Sequence, residues 1–190
     1  MSAVTSLRHS LLERLGPGAL ASPKPTARLR WSLVPAGLPL GHLVLLQGPG
    51  RTQAVAQLLS EHPTQSAVWV EDHLSAYPPG LAQQGVELER LLFVESGNQW
   101  PWVLAQLLRS QVFKVIVAAS ILKGPEVEAG LRRLQLGAER SQALILLLAK
   151  PEGPAWAIRS RLQCQMSDQC LVVREAKQPQ ANQATGAEGP

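Results

Sequence analysis

Residues 43–52, with the sequence LVLLQGPGRT, decide the fold that we predict for this chain. An apolar run of strand length leads into a short turn of glycine and proline, and residues 53–60 continue with apolar side chains at helical spacing. Strand, glycine-rich turn and helix in this order are typical of the loops that cradle phosphates. The stretch therefore predicts an α/β domain in which this strand leads directly into a helix.

The turn departs from a working phosphate loop in its spacing. Such a loop places four residues between its first glycine and a Gly-Lys-Ser/Thr triplet. If Gly50, Arg51 and Thr52 stand for the triplet, the first glycine falls on Leu45, inside the strand. The guanidinium of Arg51 is also a wide planar fork, whereas the loop lysine is a slim point charge. We interpret Gly48, Gly50, Arg51 and Thr52 as a tight turn, a degenerate phosphate loop whose helix start suits at most an anion.

Apolar runs and helical periodicity alternate along the rest of the chain. This alternation predicts a largely parallel sheet flanked by helices. Two later strand-like segments enclose a polar turn and predict a C-terminal β-hairpin that extends the sheet. The predicted strands are 67–71, 91–95, 115–120 and 144–148, the helices 100–110 and 124–140, and the hairpin strands 155–163 and 170–174.

The ends of the chain differ in composition from its middle. Residues 1–15 place five apolar side chains on one helical face and predict an amphipathic helix, which docks either on its own domain or on a neighbour such as a second copy. Residues 16–32 are interpreted as a linker, and residues 33–176 as the core domain. Residues 177–190 lack periodicity and are expected to be disordered.

Charge and cysteine content narrow the class of protein. The 18 basic and 14 acidic residues give a net charge of +4, a mild excess that suits nucleic-acid contact without establishing it. Cys164 and Cys170 lack metal-ligand spacing, which favours a reducing compartment. The N-terminus has no signal-peptide core, and the longest apolar run, 143–149, is too short to cross a bilayer. We expect a soluble, cytoplasmic protein without a membrane partner.

Two groups of side chains are candidates for a site. Glu71, Asp72 and His73 follow a predicted strand at its carboxyl end, where open α/β sheets collect ligands and catalytic groups; a solvated strand end is the alternative. Trp100 and Trp102 begin a helix and form either a base-stacking platform or a lid on the core.

Basic side chains supply candidate contacts with phosphates or with a protein partner. The helix predicted at 124–140 presents arginines to solvent, and arginines alternate with apolar residues in the first hairpin strand. A solvated face is the alternative interpretation of the same pattern. The candidate contact residues are Arg132, Arg133, Arg140, Lys150, Arg159 and Arg161.

The order of these motifs resembles the recombinase core of the RecA superfamily, and more closely its shortened relatives of the ImuA type. The resemblance covers residues 33–173 and is most specific at 131–141, LRRLQLGAERS, which looks like the RRLQLAAE segment of ImuA-like proteins. Residues 158–162 are similar to a late RLRL-type strand of that group. Further matching stretches are 37–43 before the turn, 85–92 before the third strand and 104–110 in the following helix.

The positions that the resemblance implies for catalysis are altered. Active ATPases of the family carry Gly-Lys-Thr in the loop, a catalytic glutamate after the second strand, an acid at the end of the fourth and a γ-phosphate-sensing glutamine after the fifth. The long DNA-binding loop of a recombinase is replaced by the short segment 150–154. The matching positions here hold Gly50-Arg51-Thr52, the acidic pair Glu71 and Asp72, Ala119, and Ala149-Lys150.

The resemblance therefore implies a pseudo-ATPase that uses the recombinase fold as a binding surface. ImuA-type proteins assist an ImuB-like protein and an error-prone polymerase at DNA lesions, so we expect an ImuB-like or polymerase component, a recombinase or single-stranded DNA as partners. No cofactor is expected. Two alternatives remain open: a divergent DNA-stimulated ATPase that binds ATP and Mg²⁺, and a SulA-type inhibitor of cell division that acts by protein contact.

Overall fold

The computed structural model describes residues 27–119, 127–148, 157–158, 160–167 and 170–176. The predicted N-terminal helix, most of the predicted linker, the tail 177–190, Lys150 and Arg159 lie outside these residues. The strands are β1 (Arg28–Trp31), β2 (Val34–Pro39), β3 (Leu43–Gln47), β4 (Ala67–Glu71), β5 (Leu91–Glu95), β6 (Val115–Ala118), β7 (Leu144–Leu147), β8 (Ser160–Ser167) and β9 (Cys170–Glu175). The helices are α1 (Arg51–Ser60), α2 (Pro78–Gln83), α3 (Trp100–Ser110) and α4 (Val127–Ser141), with short 3-10 turns at Leu88–Arg90 and Gly97–Gln99.

A seven-stranded, mostly parallel sheet organises the chain, in the order β5-β4-β6-β7-β3-β8-β9. β9 is antiparallel to β8, and the other pairs in this sheet are parallel. The α/β class and the C-terminal hairpin are thus confirmed. The first hairpin strand begins at Ser160 rather than at the predicted residue 155, and residues 157–158 belong to no strand.

Both faces of the sheet are buried at its central strands, which explains their continuous apolar runs. Because successive side chains of a strand point to opposite faces, Val44 and Leu46 of β3 pack with α1, whereas Leu43 and Leu45 pack with α3 and α4. The core is therefore two apolar layers separated by the sheet.

The direction of the chain across the sheet accounts for where each helix lies. The connections from β3 to β4 and from β4 to β5 run one way and carry α1 and α2 on one face. Those from β5 to β6 and from β6 to β7 run back and carry α3 and α4 on the other. Right-handed crossovers require this change of face when the direction reverses.

Residues 28–31, which were predicted to belong to the linker 16–32, form a strand instead. They form β1, which pairs antiparallel with β2 in a small separate sheet. Leu29 and Trp31 of β1 are buried against the α1 face together with Leu38 of β2. Alternating apolar residues that can reach a core outweigh the proline-rich composition of the preceding segment.

Candidate functional site

The turn after β3 lies at the carboxyl edge of the sheet, beside the strands where the crossovers change face. The helix after β3 packs on one face, whereas the helix after β6 packs on the other, and β7 lies between these two strands. In open α/β sheets, ligands usually bind in the crevice at such a switch point. Residues 120–126 and 149–156, which follow β6 and β7 in the sequence, lie outside the described residues.

The turn itself is short and tightly closed. Gly48 adopts a φ of +94°, which L-residues rarely adopt, and Gly50 is the N-cap of α1 without a side-chain cap. The amide of Arg51 donates to the Gly48 carbonyl at 3.4 Å, and the amide of Ala54 donates to the Gly50 carbonyl at 2.9 Å. The chain thus passes from strand to helix through Gly48, Pro49 and Gly50 alone.

The β8–β9 hairpin packs against both glycines. A β-carbon on Gly48 would lie well inside contact distance of the Cys164 carbonyl oxygen, and 2.7 Å from Nε2 of Gln163. A β-carbon on Gly50 would lie 2.7 Å from Cδ1 of Leu171 in β9. Close packing against a backbone carbonyl therefore requires glycine at position 48, whether or not an anion binds there, whereas a side chain at position 50 would require the Leu171 side chain to shift.

Arg51 and Thr52 are brought to the same turn and are exposed. One guanidinium nitrogen of Arg51 donates back to the Gly48 carbonyl at 3.3 Å. Burial raises the pKa of the neighbouring Cys164 thiol to about 11, and the positive charge of Arg51 lowers it by a smaller amount. The Arg51 side chain thus lies along its own turn, close to β8.

The acidic residues after β4 are engaged by their own loop. Glu71 is only 3% exposed, and its carboxylate accepts hydrogen bonds from the amides of Ser75 at 2.6 Å and Ala76 at 3.0 Å. The Ser75 hydroxyl adds a bond at 3.2 Å. Asp72 accepts from the amide of His73 at 3.0 Å. These contacts make Glu71 a cap for residues 72–76 and leave little of its carboxylate for a water molecule or a metal ion.

The end of β6 offers no acid. Ala118 and Ala119 are buried, and the amide of Ala119 donates to the Val70 carbonyl at 2.9 Å. Among the described residues, no group of three or more His, Cys, Asp or Glu side chains is placed to hold a metal ion.

The candidate arginines separate into different surfaces. Arg133 and Arg140 of α4 line a groove of about 630 Å³ between α3 and α4, which Arg109 of α3 also lines. Arg132 is exposed on the same helix but does not line the groove. Arg161 lies half-buried in β8, and its Nε is buried without a hydrogen-bond partner among the described residues.

The two tryptophans that begin α3 have different environments. Trp100 packs with the buried layer on the α3–α4 face, and its ring lies over Gly130, 3.0 Å from where a β-carbon would stand. Trp102 is 62% exposed and lines the groove. Packing therefore accounts for Trp100, whereas Trp102 remains accessible to a ligand.

Sequence reasoning did not single out Arg109 and Leu136, which also line this groove. A signal was present, because Trp102 and Arg109 are seven residues apart, as are Arg133 and Arg140. Two helical turns place such residues on one face of a helix. Only the packing of α3 on α4 places the two faces side by side.

In comparisons with known proteins, no family model matches the sequence, and no curated protein matches it significantly. The described helices include none with the length and apolar character needed to span a membrane.

Proposed function

We propose that this chain is a non-catalytic, recombinase-like accessory protein of the bacterial DNA-damage response. It assists error-prone translesion synthesis through contacts with DNA, with a recombinase or with an ImuB-like or polymerase partner. In this proposal the parallel sheet is a RecA-like core, and the turn after β3 is a degenerate phosphate loop. The proposal joins the ImuA-type resemblance of residues 33–173 to the contacts made at the altered positions.

The observation that carries the proposal is the close packing of the turn. Gly48 and Gly50 face atoms of the β8–β9 hairpin, and Arg51 donates back to the carbonyl of Gly48. A phosphate loop needs a longer run of backbone N–H groups that wrap the anion, with a lysine that reaches its outer oxygens. A three-residue turn bonded to its own arginine is poorly suited to that task.

The acidic residues support the same conclusion. A hydrolytic base must reach the attacking water through a free carboxylate oxygen. The Glu71 carboxylate instead accepts three hydrogen bonds from Ser75 and Ala76. Ala119 at the end of β6 provides no ligand for Mg²⁺. A binding role for the scaffold is therefore favoured over ATP hydrolysis.

The biochemical test is binding of a fluorescent ATP analogue with Mg²⁺, with and without single-stranded DNA, accompanied by a phosphate-release assay. We expect no saturable nucleotide binding and no phosphate release, and a recombinase with an intact loop serves as the positive control. DNA-stimulated phosphate release that Arg51→Ala abolishes would overturn the proposal in favour of a divergent ATPase.

The cellular test uses the bacterium from which the gene comes. Deletion of the gene should lower the mutation frequency after DNA damage, and the Arg51→Ala chain should restore that frequency as well as the natural chain does. Filamentation on overexpression, with no change in mutation frequency on deletion, would instead support the SulA-type alternative.

A further inference from the structure

A groove of about 630 Å³ lies between α3 and α4. We call it the α3–α4 groove. Its deeper lining is apolar or small, with Ala105 and Leu108 from α3, and Leu134 and Gly137 from α4. The outer lining includes two exposed apolar side chains, Trp102 and Leu136, which are 62% and 48% exposed. Such a surface can remove apolar groups of a ligand from water.

The helix pair is held close by glycines. The Leu108 side chain lies over Gly137, 2.8 Å from where a β-carbon would stand, and Trp100 lies over Gly130 at 3.0 Å. A β-carbon at Gly137 would require the Leu108 side chain to shift, and one at Gly130 would be in tight contact with the Trp100 ring. The walls of the groove are therefore fixed by helix packing, and the groove does not depend on a loop for its shape.

Among the described residues, all charges that line the groove are positive. Arg109, Arg133 and Arg140 contribute three guanidinium groups, and the described part of the lining contains no carboxylate. Within the described residues, none of the three guanidinium groups makes a hydrogen bond or an ion pair. Each presents a planar fork that matches a carboxylate through two parallel hydrogen bonds.

From this combination we propose that the α3–α4 groove binds an acidic amphipathic helix of a partner protein. Leucine-type side chains on one face of that helix would enter the apolar floor, and flanking Glu or Asp side chains would pair with the arginines. This inference deepens the proposed function and rests on its adaptor role, since it names the chemistry of the protein partner.

Other occupants fit the groove less well. The chain's own predicted N-terminal helix carries Arg8 and Arg14 against Glu13 alone. Its net charge is therefore positive, like that of the groove, and the two would repel each other. Trp102 is the one exposed aromatic ring in the described part of the lining, and leucine and alanine offer single-stranded nucleic acid no plane on which bases stack. An aliphatic floor surrounded by arginines favours a helix with carboxylates.

The test is selection from a displayed library of helical peptides with randomised surfaces, using the whole chain as bait. We expect selected peptides to carry leucine-type residues at helical spacing with Glu or Asp beside them. Synthetic versions of these peptides should bind the double variant Arg133→Glu/Arg140→Glu at least about tenfold more weakly than the natural chain.

Arg132→Glu is the matched control, because Arg132 is an exposed arginine of the same helix outside the groove. It makes the same charge change per site and should alter peptide binding by less than about twofold. Leu136→Asp should also weaken binding, since it replaces an exposed apolar side chain by a negative charge that repels the acidic peptide. Thermal denaturation of each variant confirms that the fold is retained.

Three results would overturn the inference. One is that the selection enriches peptides without acidic residues, or enriches no peptide above the level seen with beads that carry no bait. Another is equal affinity for the natural chain and the double reversal. The third is loss of oligo(dT) binding on the double reversal together with competition between oligo(dT) and the peptide, which would make the groove a nucleic-acid site. Nucleotide hydrolysis would refute the proposed function separately, because it is measured without any peptide.

Discussion

The α-carbon of Gly48 faces the carbonyl oxygen of Cys164, so closely that no β-carbon fits between them. The contact joins the turn after β3 to β8, a strand formed far later in the chain, through the parallel pairing of Gln47 with Gln163. The turn that most resembles a phosphate loop in sequence is therefore part of the packing of the sheet. Glycine is needed at this position for both its positive φ and its lack of a side chain.

Gly48→Ala should therefore be strongly destabilising. The left-handed backbone costs an alanine roughly 1–2 kcal/mol, and the collision with a backbone carbonyl adds to this, because β8 cannot move without disturbing its pairing. We expect a total of about 3 kcal/mol from urea denaturation. Gly97→Ala is the control, since Gly97 also has a positive φ but no atom within 4 Å of its β-carbon position. Equal losses for the two variants would show that the Cys164 contact contributes nothing.

The central strands were predictable from sequence because they are continuous apolar runs buried on both faces. In Leu43–Gln47 and Val115–Ala118, for example, the apolar side chains alone predict a buried strand. β1 was missed because its residues follow a segment rich in glycine, proline and alanine, and its two buried side chains gain their partners only through α1 and β2. Local composition does not contain that information.

The candidate site was less predictable than the fold because it depends on contacts between distant residues. Trp100 and Trp102 look equivalent in sequence, yet Gly130 of α4 accommodates only the first of them. Glu71 looks like a free acid at a strand end, yet the loop that follows folds back and donates to it. The identity of a residue restricts its chemistry, whereas the packing of neighbouring elements decides whether that chemistry is accessible.

Gln135 is a buried polar side chain that ties α4 to the start of β3. Its Oε1 accepts from the amide of Leu43 at 3.2 Å, and its Nε2 donates to the carbonyl of Gly41 at 3.0 Å. Gln135→Met keeps the shape of the side chain but leaves both backbone groups without this partner. We expect a loss of about 2 kcal/mol in the free energy of unfolding.

The matched control for Gln135→Met is Gln53→Met, an exposed position on α1. Its effect should be within about 0.5 kcal/mol. Urea denaturation of both variants measures the difference. If Gln135→Met were as stable as the natural chain, the two hydrogen bonds would have no net role in holding α4 against the sheet.

The two cysteines should differ in reactivity. Cys164 is buried and its pKa is raised to about 11, whereas Cys170 is exposed. Because the thiolate is the reactive form, a thiol reagent at neutral pH should modify Cys170 quickly and Cys164 only after denaturation. The Cys170→Ser chain should therefore contain no thiol that reacts rapidly with the reagent in the folded state. A fast-reacting thiol in that variant would contradict the burial of Cys164.

Cys164 should also make stability depend on pH at the alkaline end. Its pKa is raised on folding, so above its ordinary value of 9.0 the unfolded chain loses the proton while the folded chain retains it. The contribution of the protonated thiol is complete below pH 9.0 and is lost as the pH rises towards about 11. Denaturation of Cys170→Ser should show an additional loss of stability in this range that Cys164→Ala/Cys170→Ser does not.

The pKa of the Glu61 carboxyl should be lower than that of a free glutamate side chain. Partial burial raises the pKa of Glu61, but the hydrogen bonds from Ser32 and Gln57, with the nearby charge of His62, together outweigh it. The pKa is thus lowered on folding, so this contribution to stability is present above the ordinary value of 4.5 and is lost as the pH falls. The amide of Ser32 donates to Oε2 of Glu61 at 2.9 Å. The NMR chemical shift of the Ser32 amide should therefore change as Glu61 titrates, and Glu61→Gln should abolish this pH-dependent change.

Arg51→Lys distinguishes a missing lysine from a missing loop. If only the lysine were lacking, this substitution would restore nucleotide binding, because Thr52 already supplies the hydroxyl that follows it. We expect no restoration, since the turn contains only Gly48, Pro49 and Gly50, and its two glycines are packed against the β8–β9 hairpin. Titration with a fluorescent ATP analogue and Mg²⁺ should remain unsaturated for both chains. Micromolar binding by Arg51→Lys, about 8 kcal/mol of affinity, would show that the turn can still wrap phosphates and that arginine alone had disabled it.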